Sequence, residues 1–366
     1  MLNYILRRLM LMVPTILGIL LVSFVIIQFV PGGPVERMIA QLQGHGTEAT
    51  SRFSGGGSGE LSPQATATGQ QAAYRGAQGL DPEFVKELEK MYGFDKPAPE
   101  RFLIMIRNYL RFDLGTSYYR DIKVTDLILE KMPVSISLGL WSTVLIYFIS
   151  IPLGIRKAVK DGQSFDIWTS AAIFVGYAVP SFLFAILLII LFAGGRYFDL
   201  FPLRGIVSDN WGDLPWWQQG IDYIWHMVLP TLALVISGFA GLTMLTKNSF
   251  LDEIGKQYVL TARAKGLPEH RVLYGHIFRN AMLIVIAGFP AAFMHIFFTG
   301  SLLIEVIFSL DGLGLLGYES IINRDYPVVL GTLYIYALIG LGMTLIRDLV
   351  YVMVDPRIDF GGRPNG

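Results

Sequence analysis

The stretch Lys247-Asn248-Ser249-Phe250-Leu251-Asp252-Glu253, continued by Tyr258-Val259-Leu260-Thr261-Ala262-Arg263-Ala264-Lys265-Gly266-Leu267-Pro268, gathers the side chains best suited to engage another molecule. The chemistry it offers is contact, not bond making. Ile254, Tyr258, Ala262 and Gly266 recur every four residues, so a helix through them carries one face that tapers from bulky to very small and admits a partner backbone closely. Thr261, Arg263 and Lys265 lie beside that face, and Gly266 followed by Pro268 stops the helix. Spacing alone leaves two uses open: docking in a protein groove, or lying on lipid headgroups through Lys256, Arg263, Lys265 and Arg271.

Groups that make or break bonds are scarce. The only Gly-Lys pair, Gly255-Lys256, is followed by Gln257, so no Gly-x-x-x-x-Gly-Lys-Ser/Thr loop exists to cradle a nucleotide phosphate. His-Glu-x-x-His and Gly-x-Ser-x-Gly are also missing, the five histidines are scattered, and no cysteine is present. Catalytic, cofactor-binding and metal-ligating residues are therefore none. Of the titratable groups near apolar stretches, His295 sits well inside one, Glu305 at an outer end and His226 at an edge. A lone histidine is more often a hydrogen-bonded packing residue than a proton relay. Ion-coupled transporters place charged or titrating groups within their spans, so nearly bare spans point to energy supplied from elsewhere.

The elements that must position the contact segment are membrane helices. The 366 residues are 53% hydrophobic and only 16% charged, against roughly 25% charge in soluble domains. Lys plus Arg equal Asp plus Glu at 29 each, which leaves no basic field to recruit nucleic acid. A spanning helix needs roughly 20 apolar residues. Such runs occur at about Leu9–Val30, Val134–Ile155, Ile167–Ala193, Met227–Leu245, Ala281–Ile304 and Val328–Ile346. The first follows Arg7-Arg8 and ends in Pro31-Gly32-Gly33-Pro34 with no small-residue cleavage site, which reads as an uncleaved anchor. Arg156, Lys157 and Lys160 lie between spans two and three, six cations between spans four and five, and Arg347, Arg357 and Arg363 after span six. The loops after spans three and five are acidic or mixed, so both termini are expected in the cytoplasm. Trp211, Trp216, Trp217, Tyr223 and Trp225 precede span four, where aromatic rings suit the headgroup level.

The expected organisation is a cytoplasmic N-terminus with helix 1 over 1–31 and an extracytoplasmic loop over 32–133. Helices 2–6 follow over 134–353, with the cytoplasmic loop 246–280, and a cytoplasmic tail closes the chain over 354–366. Within the long loop, 44–79 is low in complexity and offers little apolar surface, whereas 81–131 carries helix punctuation. Asp81, Pro82 and Glu83 open one amphipathic helix with Phe84, Leu88 and Met91, and a second, about Pro99 to Phe112, presents Phe102, Ile106 and Tyr109.

The 258–268 segment resembles the EAA loop of ABC import permeases in its peptide-transporter form, with Ala262 and Gly266 on the Ala-x-x-x-Gly core. His276-Ile277-Phe278-Arg279-Asn280-Ala281 fits the same branch, although the Glu-Ala-Ala opening is here Leu260-Thr261-Ala262. Further matches are Tyr92 to Pro97, Asp113-Leu114-Gly115-Thr116-Ser117, Gly300 through Glu305 and Phe308 to Gly314, Arg324-Asp325-Tyr326-Pro327 and Val354 to Ile358. In order and spacing they resemble the first permease of dipeptide, oligopeptide and nickel importers, most of all the Yej-type peptide branch through 150–159 and 197–205. The resemblance implies an all-α polytopic fold with the six helices of a type I ABC importer permease. It implies a second homologous permease, cytosolic ATPase subunits holding ATP and Mg, and an extracytoplasmic peptide-binding protein in a bacterial inner membrane. The cargo implied is oligopeptides, including microcin C-like ones. Ile254, Tyr258, Thr261, Ala262, Arg263, Lys265 and Gly266 then become the ATPase-coupling helix. The competing classes are an ion-coupled secondary transporter and a non-transporting receptor or structural membrane protein.

Overall fold

The computed structural model describes residues 2–29, 95–195, 197–298 and 302–354, and every regular element among them is helical. In chain order these are α1 (Leu2–Phe29), α2 (Ala98–Tyr109), α3 (Val124–Val159), α4 (Ser164–Ala178), α5 (Ser181–Phe192), α6 (Trp216–Ile254), α7 (Gln257–Ala264), α8 (Phe278–Phe298), α9 (Leu302–Ile307), α10 (Leu313–Asn323) and α11 (Tyr326–Val354). Five helices are long and apolar enough to cross a bilayer, six if the bent pair α4–α5 forms one span. The low-complexity stretch, the helix expected from Asp81, and the C-terminal tail lie outside the described residues.

The helices overrun their apolar cores. α6 extends the Met227–Leu245 run to 39 residues, and α3 extends Val134–Ile155 to 36 while passing Pro133 and Pro152. Where the run 167–193 suggests one continuous span, α4 and α5 meet instead at 95°. Val179, which precedes Pro180, is extended at φ −85° and ψ 118°. The proline ring disfavours the α region for the residue before it, and that residue is the corner. In the fifth run, α8 is described as far as Phe298 and α9 from Leu302.

Contacts divide the chain into two units: Met1–Leu9, Met132–Gly314 and Ile339–Gly366 form one, Met10–Lys131 and Leu315–Leu338 the other. In the first, α4, α5 and α8 all pack on α6. Helix α3 reaches α6 through small residues: a methyl at Gly154 would lie 2.6 Å from Thr246 Cβ and 2.8 Å from the Thr243 carbonyl oxygen. Close to that crossing, Ser150 Oγ donates to the Phe239 carbonyl at 2.9 Å. In the second unit α2 follows Pro97, has Glu100 in its first turn and Arg107 in its last, and buries Tyr109. Its Phe102 ring lies 5.3 Å from that of Phe24 on α1.

Candidate functional site

Ile254 closes α6, Gly255 caps it, and extended Lys256 (ψ 151°) starts α7. The single helix expected from Ile254 to Gly266 is therefore two, broken at Gly255-Lys256. A polar knot holds the break: Tyr258 Oη donates to Glu253 Oε2 at 2.6 Å, and the Lys256 ammonium also bonds the Glu253 carboxylate. Burial and the adjoining Glu253 carboxylate push the Tyr258 hydroxyl above its ordinary pKa.

Val259 and Ala262 of α7 are buried, at 0% and 6% exposure, in an apolar cluster with Ile155, Ala158, Phe250, Val272 and Ile277. Here the structure corrects the small-face reading: the side of α7 bearing Ala262 packs on this chain and is not free for a partner. The outward side carries Leu260, 51% exposed, with Thr261, Ala264, Lys265 and Gly266. Arg263 is engaged within the chain, its guanidinium donating to both carboxylate oxygens of Glu269 at 2.9 and 3.2 Å. Gly266 stops the helix as expected. It adopts φ +76°, and its N–H and that of Leu267 donate back to Arg263 and Ala262. The connection 257–281 is thus a short helix fixed from behind, with one exposed face. Beyond it, a π-turn at Val272–Ile277 leads into α8, and Ser249 Oγ of α6 donates to the Ala281 carbonyl at 2.6 Å.

Behind this connection lies a polar junction that the sequence reading missed. Lys157, counted there as a loop cation, is the last-turn residue of α3 and has no exposure. Its ammonium meets Asp166 Oδ1 at 2.8 Å and donates to the Asp166 carbonyl, Thr169 Oγ1 and Ser170 Oγ. Lys247 of α6 meets Asp166 Oδ2 and Asp161 Oδ1, each at 2.7 Å. Three helices are joined through one carboxylate. The available signal was the i, i+4 spacing of Lys157 and Asp161, with Asp166 in the first turn of the next helix.

Two other buried acids are structural. Glu305 is fully buried beneath Gly312 and Gly314, where added methyls would lie 2.6 and 3.1 Å from its carboxyl group. Asp222 accepts from Ser208 N–H and Oγ at 2.8 and 2.6 Å, and His226 Nδ1 lies 2.8 Å from the Asp222 carbonyl oxygen, so this histidine is a bonded packing residue.

In the second unit two of the quoted motifs meet. Ser117 Oγ donates to Asp325 Oδ2 at 2.5 Å and Tyr118 N–H to Oδ1 at 3.1 Å, while Arg120 pairs with Glu319 at 2.7 Å. Burial pushes the Asp325 carboxyl above the usual range, against these donors. Gly331 on α11 admits Val124 closely, since an added methyl would lie 2.6 Å from Val124 Cγ1. Beside this clamp is a cavity of about 490 Å³ lined by Arg101, Asn108, Asp113, Tyr118 and Tyr326 among others.

Long apolar helices joined by buried polar contacts, with an exposed connecting helix, are the features of a polytopic membrane protein. Residues 150–360 match the family described as the binding-protein-dependent transport system inner membrane component. The chain is 64% identical to the peptidoglycan transport system permease protein YejB of Agrobacterium fabrum, over 98% of this chain and 99% of that one. It is 58% identical to the inner membrane ABC transporter permease protein YejB of Escherichia coli O157:H7 over the same shares. With the oligopeptide transport system permease protein AppB of Bacillus subtilis it shares 32% identity, again over 98% and 99%. The chain belongs to the binding-protein-dependent ABC permease family. It is a multi-pass inner membrane permease with no catalytic role in ATP hydrolysis, and systems of this family also comprise an ATPase, a binding protein and a second permease.

Proposed function

We propose that this chain is one half of the translocation pathway of an ATP-driven importer of short peptides, peptidoglycan-derived peptides among them. The observation that carries the reading is the outward face of α7, held rigidly from behind and exposing Leu260 beside Lys265 and Gly266. Such a face passes motion from a cytosolic ATPase into α6 and α8, because α7 shares one apolar cluster with Phe250 and Ala281. Peptide cargo is supported by the names of the relatives, which concern peptidoglycan, oligopeptide and dipeptide transport. Microcin C-like peptides fall within the same chemical class.

In this reading the six-span type I arrangement counts α4–α5 as one span, and both termini face the cytoplasm on the side of α7, which the distribution of Lys and Arg supports. The 81–131 region faces the binding protein, and its α2 and neighbouring cavity supply apolar and charged contacts. The seven coupling residues keep their assignment in altered roles. Thr261, Lys265 and Gly266 meet the partner, while Ile254, Tyr258, Ala262 and Arg263 fix α7 in place.

The test is peptide uptake and ATP hydrolysis by the complex co-purified from native membranes, with and without its binding protein. Peptide and binding protein together should stimulate hydrolysis and drive uptake. Uptake driven by a proton or sodium gradient, with this chain alone in vesicles, would instead establish an ion-coupled carrier.

A further inference from the structure

The corner between α3 and α4 carries two cations that the polar junction leaves uncompensated. Lys157 and Lys247 are balanced there by Asp161 and Asp166. Arg156 in the last turn of α3 and Lys160 just past its end both lean on the ring of Phe165: the guanidinium carbon lies 4.7 Å and the ammonium nitrogen 5.7 Å from its centroid. Neither pairs with a carboxylate among the described residues. The corner itself is rigid. Gln163 N–H donates to the Lys160 carbonyl at 3.0 Å, Gly162 adopts φ +70°, and its N–H donates to Asp166 Oδ2 at 3.2 Å. Around the two cations, Val159, Ile167 and Trp168 are 52%, 60% and 75% exposed.

Two oriented cations, with exposed apolar side chains close by in the sequence and placed where a candidate span ends, match one kind of molecule. We propose that this corner binds the headgroup of an acidic phospholipid, with the phosphate between Arg156 and Lys160 and the glycerol and upper acyl chains against Ile167 and Trp168. A soluble anion would leave that apolar collar in water, whereas a zwitterionic headgroup brings its own cation to the site. A lipid held here braces the Lys157–Asp166–Lys247 junction from its outer side. The proposal is independent of the cargo and of the direction of transport.

The test uses the full-length chain with the subunits that accompany it, titrated in detergent with phosphatidylglycerol or phosphatidylcholine and read by native mass spectrometry. Phosphatidylglycerol should be retained preferentially. Arg156→Gln and Lys160→Gln should each weaken it roughly fivefold, and the double variant by roughly 25-fold. Phe165→Leu should weaken it by about two- to fivefold with the charges intact. These substitutions leave the buried junction in place, and the single variants carry the reading if the double variant fails to purify. Equal retention of the two lipids, unchanged retention in the Arg156 and Lys160 variants, or displacement of the lipid by millimolar inorganic phosphate would each overturn the proposal.

Discussion

Asp166 and Asp325 are both buried aspartates that bind segments far apart in the chain, yet their surroundings are chemically opposite. Asp166 faces two ammonium groups, those of Lys157 and Lys247, at 2.8 and 2.7 Å. Asp325 faces a serine hydroxyl and a backbone N–H, while the nearby Arg120 is engaged with Glu319. The first joint is held by charge, and removing the shared carboxylate strands Lys157. The second is held by neutral donors, and burial lifts its carboxyl toward the protonated form. One residue type therefore makes a strong, pH-indifferent weld in one unit and a weaker, pH-sensitive clasp in the other.

The largest effect expected from this contrast is that of Asp166→Leu, which leaves the fully buried Lys157 without a counter-charge at a cost of about 3–5 kcal/mol. Thermal unfolding of the purified complex would show it. Adding Lys157→Met should restore most of the loss, because Lys247 keeps Asp161 and an apolar pair replaces an ionic one. A small effect of Asp166→Leu alone would remove the distinction between the two joints.

Each unit also has a glycine at a close helix approach, and Gly154 and Gly331 should differ. Gly154→Ala is expected to cost about 1–3 kcal/mol, since its methyl meets the Thr243 backbone carbonyl at 2.8 Å as well as Thr246 Cβ. Gly331→Ala meets the Cγ1 methyl of Val124 at 2.6 Å but no backbone atom as near as the Thr243 carbonyl, and should cost less. Melting temperatures in the reverse order would show that the second unit is the more rigid.

The smallest effect is the pH dependence. A carboxyl whose folded pKa is raised binds its proton more tightly in the folded state, so its contribution falls as pH rises from about 4, the unfolded value, through the folded one. Asp325→Asn fixes the neutral form. The melting temperature of the native chain, relative to this variant, should therefore rise on acidification through that window. A difference that stays constant with pH would contradict the clasp.

The apolar runs placed the spans because spanning helices have few alternatives in hydrocarbon, and Gly266 with Pro268 marked the end of α7. What was not legible depended on partners distant in the chain. Spacing by four puts Ile254, Tyr258 and Ala262 in line, but not on which side; Ile155, Val272 and Ile277 decide that by covering Ala262. Lys157 looked like a loop cation because the apolar run ends near Ile155. The helix continues to Val159, and Asp166, beyond the turn, receives the charge. Asp113–Ser117 and Arg324–Pro327 were visible as separate motifs, whereas their meeting at the Ser117–Asp325 bond required the fold.

The central claim is that the permease meets its ATPase through the outer face of α7 and not through the face bearing Ala262. Because the chain contains no cysteine, single introduced thiols report contacts without background. Leu260→Cys and Ala262→Cys should be compared in the assembled transporter by cross-linking to cysteines placed along the ATPase surface. A cross-link from position 260 with none from 262 is the predicted result; a cross-link from 262 with none from 260 would contradict the account.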